Sequence, residues 1–288
     1  MKEALYVTLL SAVQAVADEA GYEVDTTVIG SDDTTTKQLL AHAQRIIKEM
    51  ADEYPWSKLN ASGSITLAAG IADYALPAAF SYYHYDTFWN SSTRWRVLGP
   101  LSPQQYAAER GYGLTAEVYK RFQIRGIENN RLVIMPTPGA SEDGQIIIFE
   151  YIADRCVRPP TWAVGQIITA GDYRFYDGIY YLANTSGTTS GANPTVDGGV
   201  TWTEYTGTYN RFLTDADEPL LNQQTLEQGM LERFGEIHGL ESIQPRYKEQ
   251  LQQDFGRDIP GKTLYAGGVA SGKLQYGRSG KVIFGSLF

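Results

Sequence analysis

Apolar residues recur at three- and four-residue spacing at both ends of the chain, and at two-residue spacing between them. Leu5, Leu9, Val13, Val16 and Ala20 form one helical stripe, closed by Gly21. Leu39, Ala43, Ile46, Ile47, Met50 and Tyr54 form a second. Candidate N-caps lie before it in Ser31-Asp-Asp-Thr-Thr, and Pro55 follows it. The helical period returns in 213–258, with Leu226, Met230, Phe234 and Ile237, then Tyr247, Leu251 and Phe255. At its opening, Asp215, Asp217 and Glu218 place negative charge where a helix start favours it, and Pro219 suits a first helical turn. Helices this short are not stable alone and need an apolar partner. The pattern therefore predicts that the two ends of the chain pack together, with the middle looped out.

From Ser64 the period is two. Ile65-Thr-Leu67 and Ala72–Pro77 read as strands separated by a turn. An aromatic run from Tyr82 to Trp89 follows, then a turn at Asn90-Ser-Ser and Arg94–Leu98. Ser102-Pro-Gln-Gln105 opens a short helix. Arg121–Arg125, Arg131–Met135 and Gln145–Tyr151 read as further strands, the set predicting a compact antiparallel sandwich or barrel. Residues 158–212 differ in character. Tyr173–Tyr181 predicts a hairpin turning at Asp177-Gly178, and a Ser/Thr/Gly-rich loop leads to Asp197-Gly-Gly-Val-Thr-Trp-Thr-Glu-Tyr205, the whole reading as a small β module.

The fold class is thus α+β: a helical body from 1–57 and 213–258, a β domain at 58–157, an inserted β module at 158–212, and an extended arm at 259–288. The arm carries Lys262, Lys273, Arg278 and Lys281 and no acidic residue. Its apolar residues Leu264, Tyr265, Leu274, Tyr276, Ile283, Phe284, Leu287 and Phe288 predict docking to a partner that supplies backbone hydrogen bonds, as in strand addition.

Charge narrows the function. The 288 residues carry a net charge of -9, without a basic run of the kind a DNA-gripping protein needs. Such a surface suits DNA that must slide past without sticking. One cysteine, Cys156, excludes an internal disulfide framework. No signal-like leader and no apolar run of about 20 residues is evident, which predicts no membrane partner and no export by a recognisable signal. Catalytic constellations are missing too. His42, His84 and His238 lack metal-ligand spacing. Gly267-Gly-Val-Ala-Ser-Gly-Lys273 is followed by Leu274, not the Ser or Thr that a phosphate-binding loop uses for magnesium. The reading is a protein with no catalytic, metal or cofactor site. Trp162, Tyr173, Tyr176, Tyr180, Trp202 and Tyr205 are a candidate sugar-stacking platform, although alternate residues of a hairpin face opposite ways. Phe175, Tyr181 and Trp202 are candidates for the core that a module of this size needs, the commoner use of such residues.

Particular residues carry a family resemblance. Asp73-Tyr-Ala-Leu-Pro77, Asp86-Thr-Phe-Trp-Asn90, Leu98-Gly-Pro-Leu-Ser-Pro-Gln-Gln105, Arg121-Phe-Gln-Ile-Arg-Gly126, Pro136-Thr-Pro138, Phe149-Glu-Tyr151 and Thr214-Asp-Ala-Asp-Glu-Pro-Leu-Leu221 occur in order. This set resembles the head-to-tail adaptor (connector) proteins of tailed bacteriophages, chiefly short-tailed ones, over 36–158 and 212–258. The resemblance implies a virion neck protein, assembled in the host bacterial cytoplasm. It would form a ring, usually dodecameric, between the portal protein and a tail or nozzle protein, with DNA passing through the middle. It also implies a C-terminal arm reaching the portal. Residues 158–212 depart from that pattern. They are similar to small β modules of phage tail proteins and to chitin-binding-type carbohydrate modules, which implies a surface glycan as an alternative ligand and a role in host adsorption.

Overall fold

The computed structural model describes residues 8–112, 119–126, 131–240 and 243–258. These fall into two compact units, one of 8–58 with 154–258 and one within 59–153. The architecture is α+β, with α1 (Leu9–Ala20), α2 (Thr34–Glu53), α3 (Pro103–Tyr112), α4 (Gln223–His238) and α5 (Tyr247–Asp258) among small antiparallel sheets.

In the first unit, helices from the two chain ends form one bundle. Both α1 and α2 pack on α4, and α5 packs beside it. Leu9, Val13, Leu39, Ile46, Leu226, Met230 and Phe234 are fully buried. Gly229 lets the helices approach closely: a Cβ there would lie 2.8 Å from the Tyr247 ring and 3.0 Å from Ile46 Cγ2. The ends of the helices follow local chemistry. Gly21 closes α1 in the left-handed conformation, and the Asp33 carboxylate accepts from the Thr36 N–H at 2.7 Å to cap α2. Past Pro55, the Ser57 N–H and hydroxyl donate to Asp258 at 2.5 and 2.7 Å, tying the exit of α2 to the end of α5. Two details differ from the sequence pattern. Ile237 is 61% exposed, because the stripe of α4 drifts off the contact face in its last turn. The second half of the bundle also starts later than the acidic run. Glu218 and Pro219 form a short strand, and α4 begins at Gln223 with Asn222 as its cap.

The second unit contains strands β1 (Asn60–Thr66), β2 (Asp73–Ala75), β3 (Phe80–Tyr83), β4 (Trp89–Asn90), β5 (Trp95–Arg96), β6 (Arg121–Arg125), β7 (Arg131–Met135) and β8 (Ile146–Ala153). β8 is central to the larger sheet. β1 runs along one side of it, and β3 and β4 share the other, with β5 at the edge. β2, β7 and β6 form a second sheet. The strands at 65–67 and 72–77 thus join different sheets. Phe88 stacks between Phe122 (4.1 Å) and Phe149 (4.8 Å), and with Ile147, Leu132 and Ile134 these rings form the shared core of a small sandwich. Gly63 leaves room for Phe149, whose ring an added Cβ would meet at 2.4 Å. The Ser102 hydroxyl accepts from the Gln105 N–H at 3.2 Å and the Gln105 side-chain oxygen from the Ser102 N–H at 2.9 Å, a capping box that starts α3.

The segment after 154 returns to the first unit. Its strands are β9 (Val157–Arg158), β10 (Ile167–Ile168), β11 (Tyr173–Tyr176), β12 (Ile179–Ala183), β13 (Gly187–Thr188) and β14 (Trp202–Glu204), with β15 (Glu218–Pro219) at its exit. β11, β12 and β14 make one sheet, and β10 pairs with β13. The β11–β12 turn uses Asp177 and Gly178, both at positive φ (48° and 81°), as a two-residue hairpin turn of matching twist requires. β9 and β15 pair antiparallel, stitching the entry of the insertion to its exit. Residues 154–212 therefore belong to the same compact unit as the helices.

Candidate functional site

The junction between insertion and helical bundle is built on two aspartates of the acidic run. Asp217 is fully buried. Its carboxylate accepts from the Leu213 N–H (2.6 Å), the Thr214 N–H (3.0 Å), the Thr214 hydroxyl (2.7 Å) and the Tyr209 hydroxyl (3.1 Å). Burial raises its pKa, against the pull of these donors, which favour the anion. Asp215 turns the other way and accepts from the Val28 and Ile29 N–H groups, the shorter contact being 2.7 Å. The backbone carbonyls of Asp217 and Asp215 also accept from Leu9 and Leu10 at 2.8 and 3.1 Å. Those first-turn amides of α1 have no partner within their own helix. One short turn thus holds the start of α1, the loop before α2 and the end of the insertion.

Around this turn the contacts are dense and polar. Gln44 of α2 brackets the Phe212 backbone, donating to its carbonyl at 2.7 Å and accepting from its N–H at 2.9 Å. Arg158 pairs with Glu218 across β9 and β15, and both are largely buried. Asn210 donates to Asp154 at 2.7 Å, and Arg155 donates to the Gly207 and Tyr205 carbonyls. The sequence pattern gave these acidic residues to a helix start. The missed signal is Thr214-x-x-Asp217, a side chain that closes its own turn, with Asn222 then free to serve as the cap.

The candidate platform does not gather on one surface. Tyr173, Phe175 and Tyr180 share one face of the β11–β12 hairpin, and Tyr176 and Tyr181 the other. Tyr180 is buried, donates to the Val157 carbonyl at 3.0 Å, and has its pKa raised by burial. Trp162 is buried too, edge-on to Tyr176 at 5.7 Å. Trp202 packs on Ile168, Ala183 and Val200, and its indole N–H donates to Asp197 at 2.9 Å. Only Tyr173 and Tyr205, edge-on at 5.0 Å, come together at an opening. With Thr208, Tyr209, Asn210, Arg211 and Leu213 they line a polar cleft of about 260 Å³. Tyr205 is held there by its hydroxyl on the Thr208 carbonyl at 3.0 Å and by Gly207, where a Cβ would strike the ring at 2.6 Å.

Among the described residues no group of three or more His, Cys, Asp or Glu is placed to hold a metal ion. Cys156 is buried, and burial raises its pKa to about 12, so the thiol is inert at neutral pH. Burial lowers the pKa of His42 and of His84, the latter 2.8 Å from Asn60 Oδ1. His238 contacts Gln38 across the bundle at 3.0 Å. No described helix is long and apolar enough to cross a membrane. The arm residues Leu264 to Phe288 and the Gly267–Lys273 loop lie outside the described residues.

No protein-family model matches the chain, and no curated protein matches it.

Proposed function

We propose that this chain is a structural virion protein, a head-to-tail adaptor. Its copies form a ring between the portal and the tail and extend the DNA channel, and 259–288 docks to the portal. The observation that carries the reading is the bundle itself: α1 and α2 pack on α4, so segments from both ends of the described chain make one body, and 59–153 forms a compact unit of its own. The body is acidic. Residues 1–58 and 154–258 contain 25 acidic and 13 basic side chains, a balance that lets DNA pass without capture. Ring closure requires heterologous contacts between copies, and surface complementarity, not bond chemistry, does the work. Native mass measurement of the full chain, alone and with the portal assembly of its virus, tests this. Multiple copies on the portal are expected; a chain that stays monomeric beside the portal refutes the reading.

A second reading, glycan binding through 158–212 in host adsorption, is favoured by one observation: Tyr173 and Tyr205 stand at the mouth of a polar cleft with Arg211. Titrating the full chain with chitin oligomers and host-surface polysaccharides tests it. Chemical-shift changes confined to the cleft are expected, and their absence at millimolar ligand removes it.

A further inference from the structure

At its edge strand β5, the sandwich of the β unit opens into a cleft of about 340 Å³. That lies at the small end of ligand clefts, about 300–1,000 Å³, with room for roughly one or two sugar rings. The cross-strand partners Ile147, Asn90 and Trp95 trace the way out of the core: the first two are buried and Trp95 is 42% exposed. The Tyr119 ring, 5.0 Å away, braces the indole, so covering it costs little conformational freedom. Asn90 and Gln145 are scaffold. Asn90 donates to Gln145 at 2.7 Å and accepts from the Ser92 and Thr93 N–H groups at 3.0 and 3.1 Å, and Gln145 donates to the Ser141 carbonyl at 3.0 Å. The charged groups are less fully used. Arg96 pairs with Asp86 through a terminal nitrogen, but its buried Nε has no acceptor among the described residues. Buried Lys120 donates to the Pro136 carbonyl at 2.9 Å and meets Glu142 at 2.8 Å. Glu142 takes both Lys120 and the Gly139 N–H on Oε2, which leaves Oε1 to accept from a ligand.

A spare donor and a spare acceptor thus line one opening beside an aromatic surface. Each cation faces its own carboxylate, so the cleft offers no uncompensated positive charge to a phosphate or a carboxylate. Such a ligand would also bring only acceptors, and Glu142 would repel it. A hydroxyl both donates and accepts, and so answers Arg96 and Glu142 alike. The C–H face of a pyranose is apolar and covers an indole. We propose that this cleft binds a neutral sugar, its ring over Trp95 and its hydroxyls on Arg96 Nε and Glu142 Oε1. The site lies within 59–153 and is independent both of the ring reading and of the cleft at Tyr173 and Tyr205.

The test follows the Trp95 indole N–H signal of the full chain by nuclear magnetic resonance, assigned through Trp95→Phe. The probes are methyl glycosides of glucose, galactose, mannose and N-acetylglucosamine, each titrated to its solubility, with methyl glucuronide and inorganic phosphate as anionic comparisons. At least one neutral glycoside should shift the signal saturably and bind more tightly than either anion. Trp95→Ala should weaken that binding about tenfold or more, as loss of an aromatic anchor does. Arg96→Lys keeps a charge for Asp86 but removes the Nε donor, and should weaken it about tenfold. Tyr205→Ala, in the other cleft, should leave it unchanged. Three results would each overturn the proposal: no shift with any neutral glycoside, tighter binding of an anion, or full affinity in both Trp95→Ala and Arg96→Lys. All three leave the ring reading standing. Binding that Tyr205→Ala abolishes and Trp95→Ala spares would place the sugar in the other cleft and overturn this site alone.

Discussion

Asp217 offers the sharpest single-residue test of how the chain is joined. Replacing it with alanine strips the shared acceptor from two amides and two hydroxyls. The Thr214 and Tyr209 hydroxyls can rotate toward other acceptors. The Leu213 and Thr214 N–H groups cannot, because the turn fixes them. An unsatisfied buried donor costs about 1–3 kcal/mol, and these amides are partly rather than wholly enclosed, so the expected loss is about 2–4 kcal/mol. That is a large share of the 5–15 kcal/mol typical of a whole domain. For a unit of this size it corresponds to a fall in Tm of roughly 5–15 °C. Far-ultraviolet circular dichroism during a thermal scan reads mainly α1, α2, α4 and α5 and so reports on the unit concerned. Asp217→Asn, which keeps one oxygen for the two amides, should cost less than half as much. If Asp217→Ala melts with the unmodified protein, the turn does not join the chain ends as described.

Three further outcomes follow from the same structure. Gly229→Val should destabilise the bundle by about 1–3 kcal/mol through overpacking against Ile46 and Tyr247. Combining it with Ile46→Ala should cost less than the two losses added, a non-additivity that denaturant titration would detect and that distant residues would not show. Asp197 supplies the pH dependence. Partial burial opposes its ionisation, but the Trp202 indole and the Ser190 and Gly199 amides outweigh this and hold its pKa below the usual carboxylate range. A depressed folded-state pKa gives stability that is present above the unfolded value and lost as pH falls through the folded one. Protection of the Trp202 amide and indole, taken relative to the intrinsic exchange rate at each pH, should therefore fall on acidification below the usual carboxylate range, and Asp197→Asn should flatten that response. Removing 259–288 should leave the thermal transition of the bundle in place and abolish attachment to the portal, read by co-sedimentation; normal attachment of the truncated protein would refute the role given to the arm.

What the sequence made legible was periodic. The stripes of α1 and α2 ran long enough that capping residues and the Gly21 and Pro55 stops fixed their ends, and every apolar position named from Leu9 to Met50 in those stripes packs inward, with Ala20 and Tyr54 at the margins. The hairpin at Asp177-Gly178 was equally plain, because few residue pairs accept positive φ twice. The acidic run was not legible, since the Asp215 carboxylate accepts from the Val28 and Ile29 amides far away in sequence while that of Asp217 closes its own turn, and periodicity carries neither. Strand partners were hidden for the same reason: β1 passes over its neighbours in sequence to pair with β8. The platform aromatics failed to assemble because the module needed Trp162, Tyr180 and Trp202 for its own packing.

The proposal that this chain is a virion neck protein is tested most directly by a cryo-electron-microscopy map of the neck of a particle that contains it. The account predicts a closed ring of copies immediately below the portal. Each copy should place α1, α2 and α4 in one bundle, with the chain after α5 running into the portal. A map that locates the chain elsewhere in the particle, or as a single copy, would contradict it.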